Sequence, residues 1–309
     1  MGQAVDATGA GGINVTATLG YDSLNRLAST QEGGSGTAAQ GYEYDSVGNR
    51  WVASGQTLSQ WTPATANWYD GATNRITNAG VPNGTFQYDA GGDGNMTSMG
   101  GSGLTYDAEG RQVTATLNGT TQYWYDGDGR RVKKQVGTGM PTVYVYDASG
   151  ELAAEYGGAA AMSGTQYVVQ DHLGSTRMVV DGAGNCQALH DYLSFGEEIL
   201  QGVWGRTGTC VYGGADGATQ KFTGKERDAE LASSTMQGLD YFGARYFSGA
   251  QGRFTSPDPG PYKLEDPQTF NRYAYVNNAN RDPHEHTWSI SARLVNSARR
   301  LVHFRRQSN

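Results

Sequence analysis

The sequence predicts an all-β protein built from short antiparallel hairpins. Its 309 residues include 46 glycines, 19 tyrosines and 6 tryptophans, while only 17% of the residues are charged. Glycine permits tight turns and aromatic side chains favour strands, so this composition is typical of many short strands. A chain of this length buries a substantial core without metal or disulfide staples.

A Tyr-Asp dipeptide recurs along the first half of the chain. Gly or Asn follows each copy within three to six residues, usually with Arg close behind. The seven copies lie at 21–22, 44–45, 69–70, 88–89, 106–107, 125–126 and 146–147, at intervals of 23, 25, 19, 18, 19 and 21 residues. Self-similarity with a period near 20 residues predicts one strand-turn-strand unit per repeat.

Each element of this unit has a physical reason. Asp at the start of a turn accepts hydrogen bonds from backbone N–H groups two residues on, and Gly or Asn supplies the positive φ that a tight turn requires. We therefore expect Asn25 and Asn74 to adopt the backbone conformation that Gly110 and Gly129 adopt in other copies. A single hairpin is marginal in water, so the units are predicted to join edge to edge in a long sheet.

The stretch "YWYDGDGRRVKK" at 123–134 combines carboxylates, glycines and four cations, which invites a phosphate or metal site. The repeat favours a hairpin instead, with Tyr123 and Tyr125 on one face of the entering strand. One face of the exit strand is expected to carry Val132, Lys134 and Val136. The cations are interpreted as solvated hairpin charges, with a nucleic-acid patch as the alternative.

The Tyr-Asp units resemble the YD repeat of Rhs proteins, the polymorphic-toxin carriers of bacteria, which also occurs in insecticidal toxin complexes and animal teneurins. The second half resembles the Rhs repeat-associated core domain, and together the match covers roughly 20–283. The core stretches are "YVVQDHLGSTRMVVDGAGN" at 167–185, "DYLSFGEE" at 191–198, "KFTGKERDAE" at 221–230, "GLDYFGARYF" at 238–247, "GRFTSPDP" at 252–259 and "DPQTFNRYAYVNN" at 266–278.

The resemblance implies a β-sheet that spirals into a hollow shell, a β-cage, closed at one end by the core region. It also implies a task, which is to enclose a toxic C-terminal polypeptide until delivery. We expect YD repeats at 1–165, the repeat-associated core at 166–283 and a short basic tail at 284–309. Because the first motif begins in mid-pattern, the chain is expected to be part of a longer polypeptide with upstream shell.

The resemblance further implies an aspartyl-type self-cleavage pair, Asp258 and Asp282, on two Asp-Pro motifs. Two carboxylates that share a proton can act as general base and acid on a peptide bond. The second motif departs from the family pattern, because "NNANRDPHEH" at 277–286 lacks a proline, has shorter spacing and carries Glu285 where Gly is usual. An ordinary Asp-Pro turn is the alternative for Asp282.

Other polar candidates are interpreted structurally. Asp171 and His172 could form a catalytic dyad, but the resemblance makes them a marker of the core fold before the Gly174 turn, and adjacent strand residues face opposite ways. Glu197 and Glu198 are predicted to be a solvated charge pair. The histidines match no common metal-site spacing, so no metal or other cofactor is predicted; they include His284, His286 and His303. Cys186 and Cys210 form either one disulfide or two free thiols.

The tail differs from the rest in charge and pattern. Residues 284–309 hold five arginines against Glu285, so they carry +4 and leave −11 for the remainder. The apolar residues from Ile290 to Val302 recur at helical spacing, which predicts a short basic amphipathic helix. We interpret the tail as a truncated or degenerate effector region, with membrane or partner contact by 288–304 as the alternative.

Three functions remain open on the sequence. The first is a shell segment of an Rhs toxin carrier that presents a C-terminal effector in contact-dependent bacterial competition. The second is a single-turnover aspartyl autoprotease, and the third is an adhesion module for cell wall or carbohydrate. Expected partners are the protein's own effector and upstream shell, an immunity protein or secretion machinery. The acidic body argues against nucleic-acid binding, and secretion or surface display is expected for the full-length protein, although no signal peptide is recognised in the chain.

Overall fold

The computed structural model describes residues 2–6, 14–34, 36–82, 84–117, 119–158, 164–233 and 236–278. These residues form four antiparallel sheets in which strands that follow one another in sequence are neighbours. Within the described residues, helical structure is confined to short 3-10 helices at Ala66–Trp68, Phe222–Gly224, Pro267–Phe270 and Val276–Asn278. The predicted all-β class is confirmed, while the predicted helical tail lies outside the described residues.

The repeat region forms two of the sheets. The first contains β1 (Gly2–Asp6), β2 (Asn14–Tyr21), β3 (Leu27–Gly34), β4 (Ala39–Tyr44) and β5 (Arg50–Gly55). The second contains β6 (Phe86–Tyr88), β7 (Met96–Met99), β8 (Ser102–Tyr106), β9 (Gln112–Thr116), β10 (Thr120–Tyr125), β11 (Arg131–Val136), β12 (Thr142–Tyr146) and β13 (Leu152–Gly157).

The later part of the chain forms two smaller sheets. The third contains β14 (Gln166–Gln170), β15 (Thr176–Asp181) and β16 (Cys186–Leu189). The fourth contains β17 (Glu226–Ser233), β18 (Met236–Tyr241), β19 (Tyr246–Ser248) and β20 (Arg253–Phe254). We refer to residues 166–278 as the core segment. The boundary between 165 and 166 stays a prediction as a domain boundary.

The turn after Tyr125 shows how one repeat closes. Asp126 Oδ1 accepts hydrogen bonds from the backbone N–H groups of Asp128 and Arg130 at 3.0 and 2.9 Å, and Oδ2 accepts one from Arg130 Nε at 2.9 Å. Gly129 adopts a φ of 80°. Burial opposes ionisation, but these hydrogen bonds hold the pKa of Asp126 below its ordinary value. The carboxylate therefore belongs to the turn.

Asparagine replaces glycine in two copies without changing this backbone. Asn25 and Asn74 have φ values of 60° and 59°, while Gly110 has 75°. The left-handed region is accessible to Asn more readily than to other residues with a Cβ, which explains the exchange. The prediction for Asn25 and Asn74 is confirmed.

From Tyr44 onward, the repeat tyrosines are hydrogen-bonded to the backbone of the preceding repeat. Tyr125 donates its hydroxyl hydrogen to the carbonyl of Gln112 at 2.6 Å, and Tyr146 donates to the carbonyl of Arg131 at 2.8 Å. The arginine that ends a turn lies over the tyrosine of the next repeat, as Arg111 does over the Tyr125 ring at 5.3 Å. Similar pairs are Arg26 with Tyr44, Arg75 with Tyr88 and Arg130 with Tyr146. Tyrosine and arginine thus connect successive turns.

The core segment covers the buried face of both repeat sheets. In the second sheet, Phe86, Met96 and Leu104 pack in one hydrophobic cluster with Leu239 and Tyr246 of the fourth sheet. In the first sheet, Leu27, Tyr42 and Val52 pack with a group of aromatic residues from the core segment, namely Phe195, Phe222, Phe242, Phe247, Phe254 and Tyr275. Burial of these side chains is the main force that holds repeat and core together.

A strap at the end of the core segment crosses the turns of the first repeats. The side chain of Gln268 accepts a hydrogen bond from Arg26 Nη1 and donates one to the carbonyl of Ser46, both at 3.2 Å. Asn278 Nδ2 donates to the carbonyl of Gly48 at 2.8 Å. Residues 266–278 therefore fasten neighbouring turns to one another.

Cys186 and Cys210 form a disulfide in the core segment, with their Cα atoms 5.9 Å apart. The bond joins β16 to the chain near Tyr212, and both residues border the cluster that contains Val15 and Leu189. This resolves the choice that the sequence left open between a disulfide and two free thiols.

Candidate functional site

Asp258, the described member of the predicted self-cleavage pair, lies just after β20. Its Oδ1 accepts a hydrogen bond from the backbone N–H of Gly260 at 2.8 Å, and its Oδ2 lies 3.3 Å from Arg245 Nη2. Arg245 is buried over the ring of Phe254, and this burial lowers the pKa of Arg245 to about 10. Asp258 is thus oriented by an ion pair and by its own turn.

Asp282 lies outside the described residues, so its pairing with Asp258 stays a prediction. Autocleavage would leave two fragments that differ in mass from the intact chain. The self-cleavage hypothesis predicts that intact-mass measurement shows a cut near residues 284–290 in the wild type and one uncut mass for Asp258→Asn. A single uncut mass for both proteins would contradict the self-cleavage hypothesis.

Asp171 opens another turn of the repeat type rather than a catalytic dyad. Its Oδ1 accepts hydrogen bonds from the backbone N–H groups of Leu173 and Ser175, both at 2.9 Å. Gly174 follows with a φ of 81°. Asp181 makes the same contacts with Ala183 and Asn185 in a second such turn. The turn therefore continues into the core segment, where Tyr no longer precedes Asp.

The interpretation of "GRRVKK" as solvated charges is wrong for two of its four cations. Arg131 is fully buried and Lys134 is 9% exposed. For Arg131 the reason is a bulge in the pairing of β10 with β11, because Tyr125 lies opposite Arg131 while Trp124 lies opposite Lys133. Lys134 lies opposite Tyr123 and is buried with it. Lys134 and Val136 therefore share a face as predicted, although Val136 at the end of the strand is 45% exposed, and Val132 is the residue that the bulge leaves unpaired.

The two buried cations belong to an ion cluster with the fourth sheet. Arg131 Nη1 lies 2.9 Å from Asp228 Oδ2, and Arg131 Nη2 lies 2.6 Å from Glu226 Oε2. Lys134 Nζ contacts Glu226, Asp228 and Glu230 at 2.8, 3.0 and 3.3 Å. Burial and the neighbouring Asp228 charge raise the pKa of Glu230, whereas the two cations outweigh burial and lower that of Asp228. Three acids and two cations thus join repeat to core.

The prediction that Glu197 and Glu198 form a solvated pair is also wrong, because they are 5% and 6% exposed. Glu198 lies in a second ion cluster, where its Oε1 is 2.6 Å from His190 Nδ1 and its Oε2 is 2.8 Å from Arg227 Nη1. His190 Nε2 lies 2.6 Å from Asp216 Oδ2. Burial disfavours the imidazolium, but both carboxylates raise the pKa of His190 overall.

Sequence reasoning missed these clusters because their members are far apart along the chain. Among the described residues, no group of three or more His, Cys, Asp or Glu is arranged to hold a metal ion. None of the helices in the described part of the chain is long and apolar enough to span a membrane. The predicted tail contact at 288–304 and the three tail histidines lie outside the described residues.

Comparison with known families agrees with the repeat geometry. Residues 10–154 match the model of the teneurin YD-shell family. Residues 10–154 of this chain are a YD-repeat shell segment. The match covers the Tyr-Asp units up to Asp147, and it ends before the Rhs core motifs begin.

Two curated relatives of this YD-repeat chain are nucleases by name. The tRNA3(Ser)-specific nuclease WapA of Bacillus spizizenii is 27% identical over 298 residues, and the tRNA nuclease WapA of Bacillus subtilis is 28% identical over 298 residues. Each match covers 87% of this chain and 12% of the relative. The chain therefore spans only a small part of the curated relatives that it matches.

Solved structures similar to this YD-repeat chain come from toxin complexes. TcdB2-TccC3 is 19% identical with a TM-score of 0.48, and TcdB2-TccC3-Cdc42 is 19% identical with a TM-score of 0.47. The match covers 87% of this chain and 13% of the other chain in both cases. The family assignment rests on the repeat and on the matched family model.

Proposed function

We propose that this YD-repeat chain is a wall segment of a bacterial toxin carrier that encloses and presents a C-terminal effector in contact-dependent competition. The main supporting observation is that the repeat tyrosines from Tyr44 onward bind the backbone of the preceding unit through their hydroxyls, as Tyr125 does at Gln112. Such contacts build a continuous wall whose length grows with the number of repeats.

The curated relatives support the general part of this proposal, which is that the chain belongs to a toxin. Two of them are named as tRNA nucleases, and this chain matches 12% of each. A shell segment within a larger toxin is consistent with both facts. The carrier would act outside the cell that makes it, so we propose secretion or surface display of the full-length protein.

Protection of the effector is the test of this proposal. The full-length protein that contains this chain would be digested with a protease alongside its separately expressed C-terminal segment. We expect the segment to survive within the intact protein and to be degraded when it is alone. Equal digestion rates would contradict enclosure by the shell.

The matched variant for this test is Arg131→Met, which removes the buried cation that joins β11 to Glu226 and Asp228. We expect it to expose the C-terminal segment to protease, because the wall then opens between repeat and core. Arg130→Met changes the adjacent residue, whose side chain is 32% exposed, and should keep the protection.

A further inference from the structure

A small cavity lies between the first repeat sheet and the core segment. Tyr42 of β4, Arg50 of β5 and Thr62 line one side, and Phe195 and Glu197 line the other. Its volume is about 10 Å³, which is close to the least space that accommodates one water molecule. The cavity is therefore a place where the repeat sheet and the core segment meet through polar groups.

The polar atoms around this cavity are not fully hydrogen-bonded. Arg50, Thr62 and Glu197 are 5%, 6% and 5% exposed. In the described part of the chain, neither Thr62 Oγ1 nor Arg50 Nε has a hydrogen-bond partner. The Glu197 carboxyl interacts with Arg50 and Arg227 through charge attraction and not through a side-chain hydrogen bond. Buried polar groups in proteins are normally paired with protein or with an internal water.

The next residue, Glu198, has both of its carboxylate oxygens paired. Glu198 receives His190 on one oxygen and Arg227 on the other, at 2.6 and 2.8 Å. Burial opposes ionisation of Glu198, but these partners lower its pKa overall. Glu197 has no such contacts, so the two adjacent glutamates form a natural matched pair.

Charged and titratable groups face Glu197 from three elements. Arg50 on β5 and Arg227 on β17 attract its negative charge, while Tyr42 on β4 donates its hydroxyl to Gln40 Oε1 at 2.6 Å. Burial outweighs the two arginines and raises the pKa of Glu197 to about 7. The carboxyl therefore takes up a proton near neutral pH.

We propose that Glu197 is a proton-binding site that shares one water with Arg50 and Thr62, and that loss of the proton weakens the joint between the first repeat sheet and the core segment. The protonated carboxyl donates a hydrogen bond to the water. The ionised carboxyl stays buried without a direct hydrogen bond, which is unfavourable in this setting.

The sign of the effect follows from the two pKa values of the group. The folded pKa of Glu197, about 7, lies above the ordinary value of 4.5, so the folded state binds the proton more tightly. The resulting stability is present below the ordinary pKa, falls as pH rises and is lost above about pH 7. The raised pKa of His190 acts in the same direction, so the slope of the wild type alone does not identify the group.

Urea unfolding of the 309-residue chain with Glu197→Gln and Glu198→Gln separates the contributions. Glutamine mimics the protonated acid, so at about pH 8.5 we expect Glu197→Gln to raise the folded-to-unfolded ratio roughly tenfold to a hundredfold. At about pH 4, below the ordinary pKa of a glutamate, the ratio should be nearly unchanged. Glu198→Gln should lower the ratio at both pH values, because it breaks the contact with Arg227. No gain for Glu197→Gln at the higher pH would overturn the proposal.

An infrared measurement on the wild type does not depend on how the variant folds. The protonated carboxyl band should disappear between about pH 5.5 and 8.5, with a midpoint near 7. The same titrating band should be missing from Glu197→Gln and present in Glu198→Gln. A wild type without a titrating carboxyl band in this range would also overturn the proposal.

Discussion

The repeat region and the core segment are held by contacts of different range. Within a repeat, Asp126 binds residues two and four positions away, and Tyr125 binds Gln112 in the preceding unit, 13 positions away. The core segment is attached through pairs such as Arg131 with Asp228, which are 97 positions apart. Local contacts determine the order of the strands, while apolar packing and distant ion pairs together hold the core segment on one face of the sheets.

This difference makes the two regions vulnerable to different substitutions. A turn contact is partly solvated and contributes little on its own, but it occurs once in every repeat. A buried charge is costly when its partner is removed, because the remaining charge is then neither paired nor hydrated. A single substitution in a repeat turn should therefore lower the free energy of unfolding only a little. A single substitution in the buried ion cluster between repeat and core should lower it strongly.

The largest effect is expected for Arg131→Met. The change leaves Asp228 and Glu226 buried with Lys134 as their remaining cation, and we expect a loss of about 3–5 kcal/mol in the free energy of unfolding. Urea unfolding measures it. The matched control is Arg130→Met, for which we expect less than about 1 kcal/mol because Arg130 is partly exposed. Equal losses in the free energy of unfolding for the two variants would contradict the difference between the buried ion cluster and the turn.

A smaller effect is expected for Gly129→Ala in the turn. Gly129 has a φ of 80°, which is unfavourable for alanine, so we expect a loss of about 1–2 kcal/mol. Gly127→Ala is the control, because Gly127 is not among the residues with positive φ and a Cβ there would meet nothing within 4 Å. If both variants unfold at the same urea concentration, the positive φ of the turn does not explain why the repeat carries glycine at this position.

The smallest of the three effects is expected for Tyr125→Phe. This change removes only the hydroxyl that binds the carbonyl of Gln112, so we expect a loss of about 1 kcal/mol. Tyr156→Phe should be nearly neutral because Tyr156 is 63% exposed. An unchanged free energy of unfolding for Tyr125→Phe would show that the hydrogen bond between Tyr125 and Gln112 does not stabilise the fold.

The turns could be predicted from the sequence because their determinants are local. Asp, the positive-φ residue and the strand pattern all lie within a few positions, which is why Asn25 and Asn74 were placed correctly. The turns at Asp171 and Asp181 carry the same Asp and Gly spacing, and they could have been found by searching without the tyrosine.

The buried charges could not be predicted in the same way. Alternation along β11 placed Lys134 on a face with Val136, but that face is buried at Lys134, and the bulge next to Tyr125 brings Arg131 to it as well. Their partner Asp228 comes from a strand far along the sequence, so no local pattern indicates the pair. Local pattern predicts the turn, while tertiary packing determines which charges are buried.

Hydrogen exchange in the wild type and in Arg131→Met tests the central claim most directly. We expect the variant to lose protection in β17 and β18, while the amide of Gly129, which donates to the carbonyl of Asp126 at 3.0 Å, keeps its protection. This result would show that the repeats hold their own order and that the buried cation attaches the core. Loss of protection in the repeat turns to the same extent as in β17 and β18 would contradict the account.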